Sequence, residues 1–161
     1  MEEQPGIEIS EVGSSLASAF YGAQGLIMQS SSNTASFKYY VASRANGGLD
    51  VGHVVSIASV QSNWAGKYAH NSGNVLSSLF PLSEEVLNNM ALVGGVLTPK
   101  EHRGKGYASK VMECVVGEHP QLCLRVRRTN TAAYSMYKKL NFVPQNKPPY
   151  IESLPIWMVR C

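Results

Sequence analysis

The chain has 161 residues, of which 44% are hydrophobic and 16% charged, and its formal net charge is +3. That length and composition suit a single globular domain with a full core. They argue against a membrane protein, because no apolar run approaches the ~20 residues of a span, and against nucleic acid as a partner on charge alone. Cys114, Cys123 and Cys161 are odd in number and lack metal-type spacing, so they read as free thiols in a reducing compartment, and no metal is expected. The opening Met1-Glu2-Glu3 lacks the basic-then-apolar pattern of a signal peptide, which makes cytoplasm the expected location.

Ile7-Glu8-Ile9-Ser10-Glu11-Val12 alternates and predicts a first strand. Leu16, Ala19, Phe20, Ala23, Leu26 and Ile27 follow at helical spacing, weakened by Gly22 and Gly25, and this stripe reads as core. Phe37 to Ala42 is rich in strand formers, and Asn46-Gly47-Gly48 is a turn signal, so a hairpin is predicted with its second strand from about Val51 to Val60. His53 falls inside that strand, where a lone histidine is more often structural than catalytic. Residues 62–80 form a long polar stretch whose Trp64 and Tyr68 either wall a pocket or anchor a loop. Ser83-Glu84-Glu85 looks like a helix start with acids in its first turn.

The informative stretch comes next. An apolar run from Ala91 to Leu97 stops at Pro99, which cannot donate to a ladder. Beyond it, Ala108, Val111, Met112, Val115 and Val116 lie on one helical face, ending at Gly117 with Pro120 after it. Between strand and helix, Gly104 and Gly106 alternate with Arg103 and Lys105. Glycines that let backbone approach a ligand, beside the unpaired N–H groups of a helix start, describe a cradle for a pyrophosphate. It is not a Walker loop, since Lys105 is followed by Gly106. Nor is it a dinucleotide fingerprint, since Ser109 replaces the third glycine and no acid follows near residues 126–129.

Leu122 to Arg127 alternates as a strand, and strand–helix–strand at this spacing implies a parallel crossover. A helix begins at Asn130 with Ala132, Ala133, Met136, Tyr137 and Leu140 on one face, and Asn141 suits a left-handed stop. Phe142-Val143-Pro144 opens another strand. After a loop at Lys147-Pro148-Pro149-Tyr150, Ile156-Trp157-Met158-Val159 pairs back as the last.

Arg103-x-x-Gly106-x-Ala108 resembles the acyl-CoA pyrophosphate loop of the GNAT superfamily of N-acyltransferases. Asn130-x-x-Ala133-x-x-x-Tyr137 resembles that superfamily's later motif. The run 95–108 is most similar to the FR47-like branch, and the run 124–133 to the branch that acetylates protein amino termini. The resemblance implies an α/β (α+β) fold: a mixed, mostly antiparallel sheet with a central, splayed parallel pair and helices on both faces. One domain would span 1–161, with residues 1–90 on the substrate side and 91–161 forming the acyl-CoA half.

The resemblance also implies an N-acetyltransferase that moves the acetyl group of acetyl-CoA to a primary amine. The amine would belong to a small molecule or to a peptide or protein amino terminus, and the enzyme would be a monomer or homodimer. Arg103, Gly104, Lys105, Gly106, Tyr107, Ala108 and Ser109 would hold the pyrophosphate, Val96 and Leu97 would pair with the pantetheine, and Asn130 and Ala133 would flank it. Asn130 could equally be only a helix cap. An N–H near Val96 would polarise the thioester carbonyl, a contribution of about 3 kcal/mol in other acyl transfers. Tyr137 would be the general acid for the departing sulfur, an uphill transfer of roughly 2 kcal/mol for an ordinary phenol.

The strand 91–95 carries no carboxylate base. Deprotonating a lysine amine at neutral pH costs about 4.6 kcal/mol, but an α-amine only about 1. The site therefore favours a weakly basic amine, with His53, His70, Glu84 and Glu85 as candidate bases. Two other readings stay open. One is a catalytically silent CoA-binding sensor or scaffold. The other is an RNA-binding surface resting on Arg125-Val126-Arg127-Arg128 alone.

Overall fold

The computed structural model describes residues 6–26, 36–44, 50–62, 89–144 and 156–161. In chain order these form β1 (Ile7–Val12), α1 (Ser14–Ala23), β2 (Ser36–Arg44), β3 (Val54–Ser62), β4 (Ala91–Leu97), α2 (Tyr107–Glu118), β5 (Leu122–Val126), α3 (Thr131–Lys139), β6 (Val143–Pro144) and β7 (Ile156–Arg160). The strands make one sheet in the order β1-β2-β3-β4-β5-β7-β6. Every neighbouring pair is antiparallel except β4 and β5, which are parallel, as a strand–helix–strand crossover requires.

Side-chain alternation along β2 divides the interior in two. Tyr40 and Ala42 face one cluster, with Val55 and Val60 of β3, Val111, Met112 and Val115 of α2, and Tyr137 of α3. Tyr39 and Val41 face the other, with Ile57 of β3 and Ala17, Phe20 and Tyr21 of α1. Helices therefore lie on both faces of the sheet, as expected. Met112 and Ile57 are wholly buried, each on its own face. Burial of such a side chain contributes about 1.5–3 kcal/mol.

Three details differ from the sequence expectation. The second hairpin strand starts at Val54, because Val51–His53 forms a 3-10 turn instead. Asp50 causes this: its Oδ1 accepts from the Gly52 N–H at 2.9 Å and holds His53 Nδ1 at 2.7 Å. The His53 bond in turn keeps the Asp50 carboxyl below its ordinary pKa. Helix α1 ends at Ala23, with Gly25 at φ +77° and Leu26 already 47% exposed, so the apolar stripe is shorter than its spacing suggests. Ala132 is exposed, and Tyr137 is the buried residue of α3. Asn141 does take the left-handed conformation, at φ 70°. The turn at 46–48, the long stretch from 63 to 80, the helix start at 83–85 and the proline loop at 147–150 lie outside the described residues.

Candidate active site

The parallel pair is a fork. β4 and β5 pair at Ala91↔Leu122 and Leu92↔Cys123 and no further, although both strands continue. On its other side β4 stays joined to β3, but with an irregularity. Between the pairs Ser59↔Gly94 and Ile57↔Leu97, β3 advances two residues while β4 advances three. The extra residue is a bulge, which re-aims backbone groups locally. Gly95 sits in it at φ +57°. Only glycine suits that position, because an added Cβ would meet the Tyr21 hydroxyl at 2.6 Å.

Two hydroxyls fix the bulge from the α1 side. Tyr21 donates to the Gly95 carbonyl at 2.7 Å, and Ser59 donates to the Gly94 carbonyl at 2.7 Å. Burial raises the Tyr21 pKa, with Ser59 opposing, so this phenol stays a donor. Past the strand end, Ser56 and Thr98 share a hydroxyl hydrogen bond of 2.8 Å, and Arg103 Nε donates to the Thr98 carbonyl at 2.9 Å. Arg103 therefore ties the loop to the strand end as well as supplying charge.

Gly104 and Gly106 are both left-handed, at φ 79°. Gly106 is the N-cap of α2, and among the described residues no side chain caps that helix. Its first N–H groups thus stay available to an anion, with the dipole's positive end behind them. Lys105 is exposed beside them, whereas the Tyr107 side chain turns into the core, leaving its backbone as the part that can face a ligand. Ala108 and Ser109 are half-buried in the first turn.

Asn130 caps α3, its Oδ1 accepting from the Ala133 N–H at 3.2 Å, so the cap reading holds. The cap leaves the Asn130 amide nitrogen unused. Tyr137 is 6% exposed, edge-on to Phe142 at 5.8 Å between ring centroids, and burial pushes its pKa up to about 12. It belongs to the cluster on the α2 side of the sheet.

A cleft of about 320 Å³ opens on the opposite face, over the fork. Tyr21, Phe37 and Tyr39 form its aromatic wall, Ser59 and Gln61 its polar floor, and Arg125 its far side. None of the expected catalytic or cofactor-binding residues lines it, although Gly95 and Arg125 belong to the two family-like runs. The cleft was legible only in the strand alternation. Phe37↔Gln61 and Tyr39↔Ser59 are register pairs, so polar residues on β3 interrupt an otherwise aliphatic face opposite aromatics on β2. His53, bound to Asp50 in its exposed turn, is not among the lining residues, and His70, Glu84 and Glu85 lie outside the described residues.

Residues 82–149 match the model of the FR47-like protein family. The fold is the GNAT fold. It is similar to Arabidopsis thaliana NAA60 solved with acetyl-CoA, at 12% identity and a TM-score of 0.63, covering 95% of this chain and 97% of that one. It is similar too to the ribosomal-protein-S18-alanine N-acetyltransferase of Escherichia coli, at 14% identity and 0.58, covering 95% and 90%. A third likeness is to a chain of the NatC complex bound to Gag peptide and CoA, at 12% identity and 0.58, covering 96% of each. No curated protein matches the chain in sequence.

Proposed function

We propose that the chain transfers the acetyl group of acetyl-CoA directly to a primary amine. The observation that carries this reading is the fork: two parallel strands stop pairing where a bulge re-aims the backbone, beside a helix start whose amides no described side chain caps. The pyrophosphate lies on the amides from Gly104 to Ser109, with Arg103 and Lys105 adding charge. The pantetheine runs along the free edge of β4 at Val96 and Leu97, past Asn130 and Ala133. A bulge N–H polarises the thioester carbonyl, and the amine approaches from the cleft. Its nitrogen bonds to the carbonyl carbon, the carbon–sulfur bond breaks, the ammonium proton leaves to water, and the thiolate takes up a proton.

Tyr137 lies across the sheet from the cleft, on the side to which the sulfur departs once the acyl group points toward Gly95. Its raised pKa changes its role. Full transfer from a phenol near 12 to a thiolate near 8.5 is uphill by about 5 kcal/mol. A hydrogen bond from the neutral phenol to the developing thiolate needs no such transfer and stabilises charge where it forms. With no carboxylate or imidazole among the described lining residues, the amine gives up its proton to water.

The test is calorimetry with acetyl-CoA, followed by release of free thiol across a panel of amines and peptides. Binding with thiol release supports the transferase. Binding without release by any amine supports the silent CoA-binding module, which the burial of Tyr137 favours. No binding removes both.

A further inference from the structure

We infer that the acceptor is a small primary amine carrying a carboxylate, which Arg125 binds across the fork from Gly94. This rests on the transferase reading above. The strand registers place the groups in rows on the cleft face. Phe37, Gln61, Leu92 and Cys123 make one row, through the pairs Phe37↔Gln61, Gln61↔Leu92 and Leu92↔Cys123. Two residues further along each strand, Tyr39, Ser59 and Gly94 make the next, through Tyr39↔Ser59 and Ser59↔Gly94. Arg125 continues that second row beyond the gap, because it follows Cys123 by two and pairs with Trp157 of β7. The gap in the row is the fork itself.

Arg125 is therefore placed where the acceptor enters. Paired strands lie about 4.8 Å apart, the splay widens that spacing, and Gly94, Gly95 and Arg125 all line the one cleft of about 320 Å³. An amine beside Gly94 and Gly95 and an anion on Arg125 are thus within reach of one small molecule. The guanidinium lies over the Trp157 ring, 5.3 Å from its centroid, a cation–π contact that holds it beside the cleft. A planar fork held in this way suits a carboxylate bound through two parallel hydrogen bonds.

Charge within the cleft agrees. The ion pairs among the described residues are His53–Asp50 and His102–Glu101, so neither neutralises Arg125. No described lining residue is acidic. A polycationic amine would meet an arginine there with no compensating carboxylate. The cleft volume of about 320 Å³ sits at the small end of the ~300–1,000 Å³ typical of ligand pockets. The aromatic wall of Tyr21, Phe37 and Tyr39 leaves room for a compact apolar body between the two charged ends.

The experiment is acetyl-CoA-dependent thiol release with matched acceptors: free amino acids with the amine at the α, β or γ position, their carboxamides, spermidine, and a peptide with a blocked C-terminus. The expected result is a kcat/KM at least tenfold higher for a carboxylate acceptor than for its amide. Arg125→Gln should bring that ratio within about twofold of one, chiefly through KM, and Arg125→Lys should restore part of it. Acetyl-CoA affinity and the melting temperature should hold in both variants. Amides, the blocked peptide or spermidine used as well as the acids would overturn the assignment while leaving the transferase reading intact. So would a preference for acids that survives Arg125→Gln. Failure to bind acetyl-CoA, or binding without thiol release for any acceptor, would instead remove the transferase reading and this inference with it.

Discussion

The β2–β3 hairpin and the β4–β5 fork belong to one sheet and end in opposite states. The hairpin pairs from Ser36↔Ser62 to Ser43↔Val54, eight positions, whereas the fork pairs at two. In the hairpin, Val41 opposite Ile57 and Tyr40 opposite Ala58 are buried, one pair on each face, so pairing and packing reinforce each other. In the fork, β4 offers Gly94 and Gly95, which bring no side chain to pack, and β5 offers Arg125, which stays exposed. Backbone groups left unpaired there need another partner. The difference separates what stabilises the sheet from what the sheet leaves open for a ligand.

The largest effect should come from the closed region. Ile57→Ala removes a fully buried side chain and should cost about 2–5 kcal/mol in urea denaturation. The fraction still folded should bind acetyl-CoA as before. A smaller loss would mean that the hairpin repacks and does not anchor the fork.

The next effect belongs to the cradle. Gly106→Val places a β-branched residue at φ 79°, where a Cβ meets nothing within 4 Å, so the substitution acts through backbone conformation and not through a clash. Such strain costs on the order of 1–3 kcal/mol. If the cradle relaxes to relieve it, acetyl-CoA affinity should fall about tenfold to a hundredfold by calorimetry, each factor of ten being about 1.4 kcal/mol. Undiminished affinity would move the pyrophosphate elsewhere.

Tyr137→Phe should lower turnover about tenfold with acetyl-CoA affinity nearly unchanged, and an unaffected rate would remove the phenol from the mechanism. Its pH dependence can be read separately. The folded pKa, about 12, lies above the unfolded value near 10, so the folded state holds this proton more tightly. The stability it contributes is complete below pH 10 and is lost as pH rises toward 12. Denaturation across that window should show a downward slope that Tyr137→Phe reduces.

These sites differ in how far the sequence foretold them. Pro99, the two glycines and the apolar spacing after Ala108 announced strand, loop and helix, because local geometry and residue type suffice there. Asn130 and Asn141 were legible for the same reason, at a cap and a left-handed stop. Asp50 was not read as the cause of a turn, so β3 was begun three residues early and His53 was placed within it. The cleft is further from view still. Tyr21, Ser59 and Arg125 come from three distant segments, and only register brings them to one face. Spacing along the chain carries no record of register between strands joined by long connections. The burial of Tyr137 is likewise tertiary: its helical face was evident, but not its enclosure against Phe142.

The smallest effect tests a residue that could belong to either kind of region. Asn130 caps α3 through Oδ1, an internal hydrogen bond of 3.2 Å to the Ala133 N–H. Asn130→Ala should therefore cost about 1 kcal/mol of stability, the usual value of a cap. Asn130→Asp keeps an acceptor at the cap and adds negative charge at a helix start, so stability should hold or rise slightly. What aspartate loses is the amide N–H pair, the part of Asn130 that the cap does not use and that could donate to a pantetheine carbonyl. A severalfold loss of acetyl-CoA affinity in the aspartate variant, with its melting temperature retained, would assign the residue to the fork. Equal affinity in the two proteins would leave Asn130 a cap and nothing more, and the pantetheine would then be held on this side by the edge of β4 alone.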